Sequence, residues 1–379
     1  MKKFFVSLLI GGLVACGFLA SCHNSSAVNS HIVGEGDTIP FAHATLLRMI
    51  HHKDFIEVQI KNPSDTSHLL GHYALVADSI ASRQVPAGIT PISVPLRNSI
   101  VFAGIHGALI NELGKGDIIR GMCDIEYIFD EQLLHALRAD RIKDCGKNTS
   151  PNIERIISIH PDAVMMSVYE GCFDRQKIEK KGIPVIGMVE FMEPTPLARA
   201  EWMRLIGYLV GAEERADSLF RDTEKNYLSL AAKASQSSTK PKVIFDRPYG
   251  NSWYISGDES STGRLVSDAG GRNPLPLPGK EGALPISKEE MLSKGGDADF
   301  WFIRHAGEQI SYDGLKSEDN LFSVFRPYKE HKIYVADTSK SRIFEDAAFH
   351  PQWILADMIS ILHPECHITP IKKYYIPLQ

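Results

Sequence analysis

Asn152-Ile153-Glu154-Arg155-Ile156-Ile157 runs on through Ser158-Ile159-His160 into Pro161-Asp162-Ala163-Val164-Met165-Met166, and this stretch decides the fold. Its first part reads as a short helix and its second as an apolar strand. The same grammar holds on either side. Upstream, Ile100-Val101-Phe102-Ala103 is a short run of the kind buried on both faces of a parallel sheet. After Gly104 comes a helical stretch from His106 to Leu113, ended by Gly114, and then a second strand, Ile118-Ile119-Arg120-Gly121-Met122. Downstream, Lys177 to Lys181 closes a helix, and Gly182-Ile183-Pro184-Val185-Ile186 begins a fourth strand. Strands and helices alternating in this way build a parallel sheet with helices on its faces.

A long helix is expected next. Pro196 suits a helix start, and Trp202, Leu205, Ile206, Leu209 and Val210 make one apolar stripe at helical spacing. Gly207 and Gly211 interrupt it, yet Ala216, Leu219, Phe220 and Tyr227 carry the period to about Ala232. Beyond a polar break from Ser235 to Lys240 the alternation resumes, with strands at Lys242-Val243-Ile244-Phe245, Asp299-Phe300-Trp301-Phe302-Ile303 and Lys332-Ile333-Tyr334-Val335. Helices are expected at Thr262 to Ala269, at Ser287 to Leu292 and, closing the lobe, at Pro351 to Leu362. The fold class is therefore α/β: two lobes joined by a single long helix, with the ligand cleft between them. Ligands of such open sheets bind at the carboxyl ends of the strands.

In front of the lobes, residues 41–96 read as a β-rich extension. Phe55-Ile56-Glu57-Val58-Gln59-Ile60 alternates apolar and polar, Asn62-Pro63-Ser64-Asp65 supplies turn residues, and Leu69 to Val76 offers another strand. The N-terminus bears on the compartment. Lys2 and Lys3 precede a segment from Phe4 to Ala20 that is apolar except for Ser7, the pattern of a secretory signal. Leu19-Ala20-Ser21-Cys22 resembles a bacterial lipobox, which implies cleavage before Cys22 and lipidation there; Leu13-Val14-Ala15-Cys16 would leave a shorter apolar region. Ser25 to Ser30 suits a flexible tether. The expected organisation is a signal at 1–21, a lipidated tether at 22–40, the extension at 41–96, lobe one at 97–193, the bridging helix at 194–234 and lobe two at 240–379.

Composition narrows the function classes. Apolar residues make up 44% and charged residues 23%, ordinary for a globular protein, and a net charge of −5 without a basic stripe argues against nucleic acid. Cys123, Cys145, Cys172 and Cys366 are widely spaced, so a sulfur-ligated metal cluster is not expected. An oxidising compartment permits one or two disulfides among them, with the connectivity open. No GxSxG, HExxH, P-loop or GxGxxG motif occurs, so neither an enzyme nor a resident cofactor is expected.

From Arg97 to Glu365 the chain resembles the class III, helical-hinge periplasmic binding proteins for ferric siderophores, haem and vitamin B12. The resemblance rests on ordered pieces. These are Glu112-Leu113-Gly114-Lys115-Gly116-Asp117-Ile118-Ile119-Arg120-Gly121, the Asn152 to Asp162 stretch, Gly182-Ile183-Pro184-Val185, Gly211-Ala212-Glu213-Glu214-Arg215-Ala216, Ile286-Ser287-Lys288-Glu289 and Leu362-His363-Pro364-Glu365. The front extension resembles one common in Bacteroidetes lipoproteins of the family. The resemblance implies a monomeric, periplasmic, membrane-anchored lipoprotein that hands an iron complex (siderophore or haem) to an ABC permease and its ATPase, with cobalamin as the alternative cargo. It also implies permease docking through Glu154 and Glu289; the plainer reading makes them ordinary first-turn helix carboxylates.

For the ligand, loops after strands supply His106, Tyr127 and Tyr169 from lobe one, and Arg247, Trp253, Tyr254, Arg304, His305 and Arg342 from lobe two. Aromatic walls and arginines suit a bulky anionic chelate. Haem would also want an axial ligand, for which Tyr169 and His305 are the candidates. A lone tyrosine at a strand end is, however, more often packed than ligating.

Overall fold

The computed structural model describes residues 36–65, 67–77, 85–168 and 173–379. Cys22 and the whole signal segment, together with Tyr169 and Cys172, lie outside the described residues. No helix among the described residues is long and apolar enough to cross a membrane.

Five strands form the extension: β1 (Asp37–Ile39), β2 (Leu47–His51), β3 (Ile56–Lys61), β4 (Leu69–Val76) and β5 (Thr90–Ser93). They lie in sequence order, antiparallel except for the parallel β4–β5 pair. On β3, Val58 and Ile60 point into the core that the extension shares with lobe one. Glu57 faces the other way and accepts from His52 and His72 at 2.8 and 2.7 Å. Tyr73 completes the joint: its hydroxyl donates to the Val185 carbonyl and accepts from the Gly187 N–H, both at 2.9 Å. The extension is thus packed onto the body and does not stand as a separate module.

Lobe one follows with β6 (Ser99–Val101), β7 (Ile119–Met122), β8 (Lys143–Asp144), a small hairpin of β9 (Gly146–Lys147) and β10 (Ser150–Pro151), then β11 (Ala163–Ser167) and β12 (Val185–Met188). The main sheet runs β12-β11-β6-β7-β8 with every neighbour parallel. Lobe two contains β13 (Val243–Phe245), β14 (Ser252–Ser256), β15 (Ala283–Ser287), β16 (Phe300–His305), β17 (Ile333–Asp337) and β18 (Ile376–Pro377). Its sheet runs β13-β16-β17-β18, and only the last strand is antiparallel. The β14–β15 hairpin, invisible to short-range pattern, encloses the helix Ser261–Asp268 in its connection.

The expected long helix begins later than the periodicity suggests. Its apolar stripe spans three helices, Pro196–Glu201, Met203–Val210 and Glu213–Ser235. Gly211 makes the break: it caps the second helix at φ +67°, a left-handed conformation that suits glycine, and a Cβ there would come within 2.9 Å of Pro95. Gly207, by contrast, stays helical and lets Ala216 approach, since an added Cβ would meet that methyl at 2.5 Å. The helix that bridges the lobes has 23 residues, about 34 Å of rise. Ala216 and Phe220 near its start belong to the core of lobe one, while Tyr227 and Ala234 near its end belong to that of lobe two. One stiff rod is embedded in both lobes.

Candidate ligand cleft

Strand direction sets the site. The carboxyl ends of β6, β7 and β12 and those of β13, β16 and β17 feed the loops that converge between the lobes. These loops carry exposed rings: Tyr127 is 62%, Phe191 43% and Phe344 55% accessible. Phe344 also lines a cavity of about 90 Å³, with Pro196, Arg199, Phe245, Thr262 and Arg304 among others. Its walls come from the helix Pro196–Glu201 and from five helices and strands of lobe two, with Tyr375 beside them.

Arg304 is held by Asp246, whose backbone sits at φ +53°. The Asp246 carboxylate accepts from the Arg304 backbone N–H at 3.0 Å, from its Nε at 3.1 Å and from Nη2. Burial works against the guanidinium charge, but this carboxylate outweighs it and raises the pKa above the usual range. Arg199 is placed differently. Its Nε is sealed from solvent without a hydrogen-bond partner, and burial pushes its pKa down while Glu190 opposes the shift. Glu190 is itself buried and faces the ring of His106 at 3.1 Å. Burial pushes the Glu190 carboxyl up, but His106 and then Arg199 outweigh that and hold it below the usual range.

A larger gap of about 430 Å³ lies on the other side of the interlobe contact, lined by Glu112, Asp130, Arg342, Glu345, His350 and Lys372 among others. Several of its charges are paired, although Arg342 Nε and Glu345 Oε2 make no hydrogen bond. His350 Nε2 meets Glu112 at 2.8 Å, Lys372 meets Asp346 at 2.7 Å, and Arg342 contacts Glu345 and Asp346 at 3.2 and 3.5 Å. Glu345 also reaches across to accept from the Phe129 backbone N–H of lobe one at 2.7 Å. This region ties the lobes together, and the smaller cavity holds Arg199, whose Nε has no hydrogen-bond partner.

The residues singled out from sequence scatter accordingly. Arg304 lines the cavity, and Tyr127 stands exposed after β7. His106 does not reach solvent: it lies at 0% accessibility in the helix Gly104–Glu112, turned toward Glu190. Trp253 is also a core residue, 1% accessible and packed on Trp301, with its Nε1 donating to the Phe245 carbonyl at 2.8 Å. Strand alternation explains its place, because its neighbour Tyr254 takes the exposed face of β14. The same rule separates Arg304 from His305, which lines a different groove beside Asp337 and Ile376. Arg247 is engaged by Glu308 and Glu318, and Arg342 ties Asp130 of lobe one at 3.5 Å. Arg199 was missed. Its sequence signal is a charged residue inside the otherwise apolar run Pro196-Leu197-Ala198 to Ala200.

Glu154 and Glu289 occupy equivalent places in the two lobes. Each is exposed in the first turn of a helix, Ile153–Ile159 capped by Asn152 and Lys288–Gly295 capped by Ser287. Each of these helices leads back into a strand, so its first turn lies toward the carboxyl ends of the parallel strands, on the side of the cleft. Cys123 and Cys145 are buried free thiols, and burial pushes Cys145 up to about 12, which makes it inert.

The sequence model of the family described as periplasmic binding protein matches residues 110–339, more than half of the chain. The chain belongs to the periplasmic binding protein family. Among curated relatives, this binding protein is 24% identical over 287 residues to an uncharacterized lipoprotein of Methanocaldococcus jannaschii, covering 72% of this chain and 67% of the relative. It is also 24% identical over 206 residues to the iron-uptake system-binding protein of Bacillus subtilis, covering 52% and 61%. Its match to these relatives spans roughly two thirds of their length or less. A periplasmic heme binding protein from Pseudomonas aeruginosa shares the fold at a TM-score of 0.58 and 16% identity, over 75% of this chain and 98% of that one. The shared fold is that of two α/β lobes bridged by a long helix.

Proposed function

We propose that the protein is the capture component of an ABC importer, which takes up an iron complex, a ferric siderophore or haem, and delivers it to the permease and its ATPase. The observation that carries this reading is the chemistry of the loops after the strands: exposed rings of Tyr127, Phe191 and Phe344, and a cavity where Phe344 meets Arg199 and Arg304. Flat apolar walls suit a chelate's organic shell, and guanidinium forks suit its anionic groups. The iron-uptake protein of Bacillus subtilis and the heme binding protein of Pseudomonas aeruginosa lean the same way by name. Cobalamin is the alternative cargo; its corrin rim carries amides, which make less use of two arginines.

The same reading makes Cys22 the lipid-bearing residue that holds the protein in the periplasm, in line with the lipoprotein relative of Methanocaldococcus jannaschii. Glu154 and Glu289 are the permease-docking carboxylates: one exposed charge per lobe, held apart by a rigid body, fixes orientation and speeds encounter.

An absorbance and tryptophan-fluorescence titration against haem, a ferric siderophore, ferric citrate and cobalamin tests the cargo. One-to-one binding of an iron complex is expected. No response to any of the four would sink the chelate reading, and a tight response to cobalamin alone would replace the cargo.

A further inference from the structure

The small cavity gathers hydrogen-bond donors and leaves two of them, Arg199 Nε and Arg304 Nη1, without an acceptor. From lobe one's departing segment comes Arg199, with its sealed and unpartnered Nε. A buried guanidinium is unfavourable unless a carboxylate or phosphate hydrogen-bonds to it. Glu190 opposes its charge without hydrogen-bonding to its Nε, and its Oε1 faces His106 at 3.1 Å. From lobe two comes Arg304. Asp246 occupies its Nε and Nη2, which leaves Nη1 as a spare donor on a residue lining the same cavity.

A third contribution comes from the helix Ser261–Asp268, whose first two residues, Ser261 and Thr262, line the cavity. This eight-residue helix has no acidic side chain in its first turn, so nothing of its own neutralises the partial positive charge there. The remaining lining is apolar or aromatic, including Phe245, Ile343, Phe344 and Tyr375. A volume of about 90 Å³ holds a few waters or one small planar group, not a whole chelate.

We propose that this cavity is a carboxylate socket: one carboxylate of the bound molecule seats between Arg199 and Arg304, and the Ser261 and Thr262 hydroxyls complete its hydrogen bonds. The inference rests on the cleft being the ligand site and adds what the site selects. A guest with a free peripheral carboxylate is preferred over an otherwise equal guest whose carboxylates are masked. Arg199 comes from the segment between the lobes and Arg304 from lobe two, so a single carboxylate that bridges them fixes the guest's orientation. Arg199 and Arg304 are then specificity-determining residues, and the aromatic rim supplies affinity without that discrimination.

Thermal melting of the purified mature protein with citrate and with trimethyl citrate, its uncharged ester, tests the socket without any metal. A saturable rise in Tm is expected with citrate and none with the ester. The rise should vanish in Arg199→Gln and in Arg304→Gln. In Thr262→Val, which touches no charge and so keeps the fold, the citrate midpoint should move about ten- to 150-fold higher, as the loss of one hydrogen bond to a charged group would do. Equal rises with acid and ester, no rise with citrate, or a citrate rise unchanged in both arginine variants would overturn the proposal. Citrate binding without a response to any iron complex would sustain the socket and remove the chelate reading. Iron-complex binding that ignores carboxylates would do the reverse.

Discussion

Glu193→Ala should loosen the whole extension, and the structure shows why. Glu193 is 2% accessible, and its two oxygens serve a cluster of donors. Oε1 accepts from the Thr45 N–H at 3.0 Å, the Leu46 N–H at 2.9 Å and Trp202 Nε1 at 2.9 Å, while Oε2 accepts from the Thr45 hydroxyl at 2.8 Å. Hydrogen bonds to a charged group contribute about 1.5–3 kcal/mol each, so a plain sum would reach roughly 6–12 kcal/mol. That sum rivals the whole stability of a typical domain, about 5–15 kcal/mol, and so the loss cannot be additive. The strap at residues 42–46 should lift instead and recover water as a partner. A loss of about 3–5 kcal/mol is then expected, since the donors that stay buried, Trp202 Nε1 among them, lose their acceptor at about 1–3 kcal/mol each. Glu201 limits the release, because it accepts from the Ala42, His43 and Ala44 N–H groups at 2.8 to 2.9 Å. Urea unfolding gives the loss, and amide hydrogen exchange at residues 42–46 locates it. A loss below about 1 kcal/mol, with those amides as protected as before, would refute the reasoning.

Three further outcomes follow from particular contacts. Burial lifts Asp357 to about 6 from 3.8, although it accepts the Tyr374 and Tyr375 N–H groups. The fold therefore disfavours its ionised form: stability is highest below about pH 4, falls as pH rises through about 6, and stays lower above. Asp357→Asn should raise stability by up to about 3 kcal/mol at pH 8 and leave it unchanged at pH 4, and a Tm difference that is flat with pH would contradict this. Gly207→Val should cost about 1–3 kcal/mol in denaturant unfolding, since its side chain collides with Ala216 where two helices cross. Replacing Glu154 and Glu289 together by Ala should leave chelate affinity unchanged and depress delivery to permease-containing vesicles, whereas delivery at the original rate would reduce both to ordinary helix carboxylates.

Much of the fold is legible in the sequence because its signals are local. The closing helix occupies Pro351–Leu362, where its stripe of Trp353, Ile354, Met358 and Leu362 sets it, and each parallel strand is a short apolar run. What escapes pattern is what depends on distance in space. The β14–β15 pairing joins residues separated by a helix, and the break at Gly211 depends on the approach of Pro95. The site is less legible than the fold for the same reason. Trp253 and Tyr254 are equivalent by type and adjacent in sequence, yet one is core and the other exposed, because the strand turns alternate residues to opposite faces. Arg199 carries the reverse lesson: a charge within an apolar helix run means either a buried partner or a waiting ligand. Here Glu193 and Glu201, nearby in the same segment, have buried partners, and Arg199 has none for its Nε.

Hydrogen exchange of the mature protein, with and without a saturating iron complex, tests the central claim most directly: that one guest occupies the space between the two lobes. Protection is predicted at residues 123–128 and 190–199 of lobe one, together with 245–249, 260–265 and 342–347 of lobe two, while the strands of the extension exchange as before. Protection confined to a single lobe, or appearing on the extension, would contradict it.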